Sequence, residues 1–213
     1  MSTIPSWTDS GIEVIAPKAM ARASLPKRGT LDLTNKFGAY LFLGVGRGGT
    51  TALTNGVNVE VRRTMNAGGM LLPPAPHFAA VTGTAAAVLK QINNPGGYPA
   101  GTQQFTIDGA DSPAADDDIC FWGVTSLPSD NTPLPNLEFA RVAKFSSPTL
   151  SIDAPCQEIK LDDELITTKA ECWCVWCPGG CIYEVIFDYM DDAAGESVAI
   201  AAWAQIFDSL TKG

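Results

Sequence analysis

Histidine is nearly absent from this sequence: His77 is the only one among 213 residues. Any Ser-His-Asp or Cys-His catalytic system, and any histidine-based zinc site, would have to run through it. It lies between Pro76 and Phe78 in a proline-rich stretch, and no Gly-x-Ser-x-Gly nucleophile motif occurs anywhere. The expectation is therefore that the chain is not an enzyme. Charge is scarce as well. Asp, Glu, Lys and Arg make up 17% of the chain, against roughly 25% in an ordinary soluble domain. A surface poor in charge points to area covered by partners. No apolar run approaches the roughly 20 residues that a membrane-spanning helix needs, so no membrane role is expected. Residues Met1 to Trp7 carry neither a basic start nor an apolar stretch, so no secretory signal is expected. The chain is expected to fold in a cytoplasm with its cysteines reduced.

The net charge of −9 is unevenly spread. Residues 1 to 63 carry eight basic groups (Lys18, Arg22, Lys27, Arg28, Lys36, Arg47, Arg62, Arg63) against four acidic ones, and the remainder carries six against nineteen. Phosphate contacts need clustered Lys and Arg, so direct nucleic-acid binding is not expected. The basic segment suits an acidic neighbour, including the acidic body of another copy of the chain. Arg62 and Arg63 follow a strand in which Val57, Val59 and Val61 alternate with polar residues; Arg63 breaks the alternation. Contact residues are expected at Lys18, Arg22, Lys27, Arg28, Arg47, Arg62 and Arg63, with salt bridges to the acidic body as the alternative use of the Arg62–Arg63 pair.

Gly and Pro together number 35, and turn signals recur every 8 to 15 residues between short apolar or alternating runs. This pattern predicts a mainly-β chain, an antiparallel sandwich or barrel-like domain. Residues 1 to about 30, interrupted by Pro17 and Pro26, read as an extended N-terminal arm; residues 31 to 213 read as the β-rich body, with two subdomains possible on either side of a break near 66 to 80. Expected strands include 39–43, 57–61, 86–92, 103–107, 119–124, the hairpin 139–145 and 149–152, and the pair 171–177 and 181–187 about the turn Pro178-Gly-Gly180. Residues 198 to 210 fit both a helical face and a strand, and a strand to about residue 204 is favoured.

Gly44-Val-Gly46-Arg-Gly-Gly49 matches the dinucleotide-binding fingerprint letter for letter, but a helix must start at its third glycine and the chain runs instead towards the Val57 strand. The motif is expected to be a turn between strands with Arg47 at its tip. Four thiols, Cys172, Cys174, Cys177 and Cys181, fall within ten residues. Their spacing is tighter than that of paired zinc knuckles. Filling the core, forming a disulfide and binding a metal are the three readings, with core filling favoured. Acidic clusters at Asp108–Asp111, Asp116–Asp118 and Asp191–Asp192 lack EF-hand spacing and read as solvated loops. No cofactor is expected.

Three stretches carry a resemblance: Leu31 to Arg63, including Gly44-Val-Gly-Arg-Gly-Gly-Thr-Thr51 and Val57-Asn-Val-Glu-Val-Arg-Arg63; Phe139-Ala-Arg-Val-Ala-Lys144; and Trp176 to Asp188. Together they resemble tailed-bacteriophage virion proteins, most of all a capsid cement (decoration) protein. The resemblance covers about half of the chain and does not include the cysteine cluster. It implies a virion location on the outer surface of a phage head, the major capsid protein as partner, and homo-oligomers, with a trimer favoured. It brings no catalytic residues. A tail, baseplate or head-fibre component is the neighbouring alternative. A glycan-binding β-sandwich is a third reading, prompted by the five tryptophans, although Trp122, Trp173 and Trp176 lie inside apolar strands and are expected in the core.

Overall fold

The computed structural model describes residues 3–7, 11–21, 25–49, 55–66, 68, 70–84, 89–108, 113–168, 170–190 and 197–212. The chain is mainly β, as the turn spacing predicts, and no helix occurs among the described residues. Two packed sheets form a sandwich, and a third, curled sheet is inserted into it.

The first sheet is built on the long strand β15 (Ser197–Lys212). Along one edge β15 pairs with β2 (Ile12–Ala21) and then β1 (Thr3–Trp7); along the other it pairs with β4 (Gly38–Gly48), which in turn pairs with β13 (Ala170–Pro178). The second sheet has the order β3 (Lys27–Asp32), β14 (Cys181–Tyr189), β5 (Val57–Asn66) and β6 (Leu71–Val81). Inward residues alternate along each strand, as a half-buried sheet requires. Leu41, Leu43 and Val45 of β4 and Ile200, Ala202 and Ala204 of β15 meet Val57, Val59 and Val61 of β5 and Val185 and Phe187 of β14 in one core. The turn Pro178-Gly179-Gly180 carries the chain from one sheet to the other. A Cβ on Gly179 would overlap the Lys36 carbonyl, and Gly180 sits at φ 75°, so both positions call for glycine.

Residues 89 to 168 form the insert. Its strands run β7 (Leu89–Gln91), β12 (Leu165–Thr167), β9 (Asp118–Phe121), β10 (Glu138–Ser146), β11 (Thr149–Ile152) and β8 (Gln104–Thr106) across the sheet. The outermost strands β7 and β8 meet at an Ile92–Ile107 bridge, with Asn93 N–H donating to the Thr106 carbonyl at 2.9 Å, so the sheet curls round into a small barrel. The barrel has its own core of Ile92, Phe105, Ile107, Ile119, Phe121, Val142, Leu150 and Ile166. Lys160 is also fully buried here; its ammonium lies 2.6 Å from Glu138 Oε2 and 4.8 Å from the centre of the Phe121 ring.

Three expectations are corrected. The segment read as an arm contains β2 and β3, paired within the chain's own sheets: Ile15 and Met20 are buried in the sandwich core, and Pro17 is accepted because β2 is an outer strand. The proline-rich stretch 73–76, read as a break, is part of β6, another edge strand, where a missing N–H costs no ladder bond. β6 (Leu71–Val81) belongs to the sandwich and β7 (Leu89–Gln91) to the barrel, so the stretch 66–80 is not the boundary between two units. The 198–210 segment is a strand along its whole length, because Val198, Ile200, Ala202, Ala204 and Ile206 all face the core.

Candidate interaction surface

The outward face of the first sheet is a ladder whose rungs change size from one end to the other. Register places Gln205, Tyr40 and Trp176 side by side, then Trp203, Phe42 and Cys174, then Ala201, Gly44 and Cys172, then Ala199, Gly46 and Ala170, and last Ser197 with Gly48. The first two rungs are aromatic and the last three are small. This pattern comes from β4 itself, where Tyr40, Phe42, Gly44, Gly46 and Gly48 all project to the same side.

The small end is where the barrel sits. A Cβ on Gly44 would lie 2.5 Å from the Phe139 ring, one on Gly46 2.6 Å from Cys120 Sγ, and one on Gly48 2.5 Å from Leu127 Cδ2. Each glycine therefore gives up its side chain so that a barrel residue can rest on the backbone. Cys120, Trp122, Leu134 and Leu165 join Ala19, Ala170 and Ala199 in a third core that fuses the two units. Trp122, wholly buried, donates its indole N–H to Thr167 Oγ1 at 2.7 Å, and that hydroxyl donates to the Arg47 carbonyl at 2.6 Å. The loop before β10 adds Lys27 Nζ to Asp130 Oδ2 at 3.2 Å and Leu134 N–H to the Pro17 carbonyl at 2.9 Å. So Gly44–Gly49 is neither a phosphate loop nor the turn expected of it: residues 44 to 48 are the second half of a central strand. The sequence signal was a period-2 run of glycines, which reads as a loop when each glycine is taken as flexible.

The aromatic end stays open. Tyr40 is 42% exposed, Trp176 41% and Trp203 37%. Tyr40 meets Trp176 edge-on at 5.0 Å between ring centres, Trp203 lies nearly parallel to Phe42 at 6.0 Å, and Phe37 and Phe207 pair at 5.3 Å beyond them. Trp176 is thus not the core residue its apolar neighbours suggest. It sits on the even-numbered side of β13, which faces out, whereas Trp173 and Val175 on the odd side pack on the core.

The same alternation splits the cysteine cluster. Cys172 and Cys174 face outward, Cys177 and Cys181 lie in the sandwich core, and all six cysteines are free. The four thiols do not converge, and among the described residues no group of three or more His, Cys, Asp or Glu side chains is placed to hold a metal. Loss of solvation pushes the Cys172 and Cys177 thiols up to about 12. Neither is a thiolate at neutral pH, which is the form that attacks or ligates.

The basic residues expected to make contacts do not form one surface. Arg47 is buried at the sandwich end, with Nη1 donating to the Gly83 carbonyl at 2.6 Å. Its expected place at a turn tip is overturned by the strand it belongs to. Lys18 lies on β2 in a bridge with Pro133. Lys27 is tied to Asp130. Arg28 pairs with Glu184 at 2.7 Å and Arg62 with Glu60 on the same strand, both on the outer face of the second sheet. Arg63 is exposed beside a bulge in β5, which is the physical reason that the alternation breaks there. Arg22 lies outside the described residues, as do Asp111, Asp191 and Asp192. His77 is exposed, donates from Nε2 to the Trp176 carbonyl at 2.8 Å and packs its ring on Tyr183 at 5.1 Å between centres, a brace across the sandwich edge.

Comparison of the chain with protein-family models, with curated proteins and with solved structures finds no match in any of the three.

Proposed function

We propose that this chain is a non-enzymatic assembly protein of a phage virion, of the capsid cement kind, which binds the major capsid protein and further copies of itself at the outer surface of the head. The observation that carries this reading is the open aromatic end of the first sheet. A sheet face with Tyr40, Trp176, Phe37 and Phe207 at its open end has the composition of an interface centre, where aromatic residues are enriched and charges depleted. A cement role asks for broad, flat contact rather than a deep pocket. The resemblance of Leu31–Arg63 and Trp176–Asp188 to virion proteins bears on the same face, since β4, the end of β13 that carries Trp176, and nearly all of β14 fall within it.

Immunogold labelling of the phage particle under the electron microscope tests the location. The reading expects label over the outer head surface. Label at the tail or baseplate would favour the neighbouring alternative, and an unlabelled particle would remove the virion role altogether.

A further inference from the structure

Where the open end of the first sheet meets the barrel, the surface sinks into a cleft of about 320 Å³. That is at the lower end of the roughly 300–1,000 Å³ seen for small-molecule sites. One wall is aromatic. Trp203 packs against Phe42 and Phe139, with centres 6.0 and 6.4 Å apart and ring planes inclined by 17° and 29°, and remains 37% exposed. The opposite wall is polar. Arg141 of β10 donates from Nε to Asp118 Oδ1 of β9 at 3.2 Å, and the Arg141 side chain is 54% exposed. Trp203 also borders a second cleft of about 320 Å³, on the side of β2, lined by Gly11, Glu13 and Pro17. Gly11 permits this, since a Cβ there would lie 3.2 Å from the indole.

We infer that the cleft is a binding site for a neutral saccharide, with Trp203 as its platform. The chemistry of the two walls selects the ligand class. An indole face offers dispersion contact to an apolar ring face and no charge. Asp116 and Asp153 act on the same guanidinium as Asp118, so the polar wall carries more acidic than basic charge and disfavours an anion, while the exposed guanidinium disfavours a cation. Yet the pair presents both acceptors and donors, and a wholly apolar ligand would desolvate it without compensation. A ring with C–H groups on one face and hydroxyls around its rim satisfies both walls. Both clefts border the same indole, so an oligosaccharide long enough to occupy the two is expected to bind more tightly than a disaccharide held in one.

The test titrates the intact protein with di- and tetrasaccharides of glucose (α- and β-linked) and of N-acetylglucosamine, and with lactose, adenosine serving as a flat aromatic control. Binding is read by tryptophan emission and calorimetry. At least one saccharide series is expected to saturate, with the tetrasaccharide roughly tenfold tighter than the disaccharide, a difference of about 1.4 kcal/mol. Trp203→Ala is expected to weaken binding at least roughly tenfold, and Arg141→Met, a change on an exposed side chain that leaves the fold in place, by roughly fivefold or more. No saturable binding of any saccharide up to about 10 mM, binding of adenosine alone, or affinity unchanged in both variants each overturns the proposal. The assembly reading is left untouched by any of these results, because its surface is centred on Tyr40 and Trp176, and Tyr40→Ser/Trp176→Ser retains saccharide binding if the two sites are separate.

Discussion

The two ends of one sheet face differ in a single variable, the size of the side chains that project from it. At Gly44, Gly46 and Gly48 the face is stripped to backbone and a second unit is fused onto it through Trp122, Cys120 and Leu165. At Tyr40, Phe42, Trp176 and Trp203 the same strands, in the same register, carry rings that meet solvent. Both ends are apolar, yet only one is buried within the chain. Tryptophan in an apolar strand is therefore not evidence of a core: Trp122 and Trp176 have similar neighbours in sequence and opposite fates in the fold.

The largest effect should separate these two tryptophans. Trp122→Ala removes a fully buried ring and its bond to Thr167, and is expected to cost about 3–5 kcal/mol in denaturant unfolding. Trp176→Ala, on the open end, is expected to cost about 1 kcal/mol, mostly its ring contact with Tyr40. Equal losses would mean that the open end is as closely packed as the covered one. A smaller contrast is expected between valine substitutions. Gly46→Val drives a side chain into Cys120 and should destabilise by about 1–3 kcal/mol, or displace the barrel. Gln205→Val, an exposed neighbour of Tyr40 on the ladder, should stay within about 0.5 kcal/mol of the parent.

The pH dependence sharpens the contrast between sandwich and barrel further, with the smallest expected effect. Burial raises the Glu164 carboxyl of the barrel above its ordinary value of 4.5, against the pull of N–H groups from Leu161 and Gly123. The folded barrel then holds that proton at a pH where the unfolded chain has released it. Its stabilising contribution is full below the unfolded value and is lost as pH rises towards the folded one. On the outer face of the sandwich, a hydrogen bond from the Asn58 amide holds Glu60 below the same ordinary value. Its contribution runs the opposite way, present above the unfolded value and lost as pH falls through the folded one. Unfolding midpoints from pH 3 to 8 should therefore flatten in opposite directions for Glu164→Gln and Glu60→Gln.

Much of the architecture was legible in the residues. Period-2 alternation at Val57–Val61, the Pro178-Gly-Gly180 turn and the 139–152 hairpin all sit where the pattern puts them, because strand, turn and hairpin signals are local. What was not legible depended on distant partners. Gly44-x-Gly46-x-Gly48 reads as a loop until Phe139, Cys120 and Leu127 arrive from 74 to 95 residues further along the chain to occupy the missing side chains. Residues 12–21 and 71–76 read as arm and linker because prolines interrupt them, and only their place at sheet edges explains why the prolines are tolerated. Tyr40, Phe42 and Trp203 were missed as surface residues because alternation says which residues share a face but not which face is covered.

The central claim is that the open aromatic rungs are an assembly surface. Sedimentation velocity on the parent chain and on Tyr40→Ser/Trp176→Ser measures this directly. The account predicts that the parent sediments as a homo-oligomer, a trimer of the 22.5 kDa chain, and that the double variant stays folded but falls to the monomer mass. A parent chain that is monomeric at high concentration, or a double variant that assembles as the parent does, would contradict it.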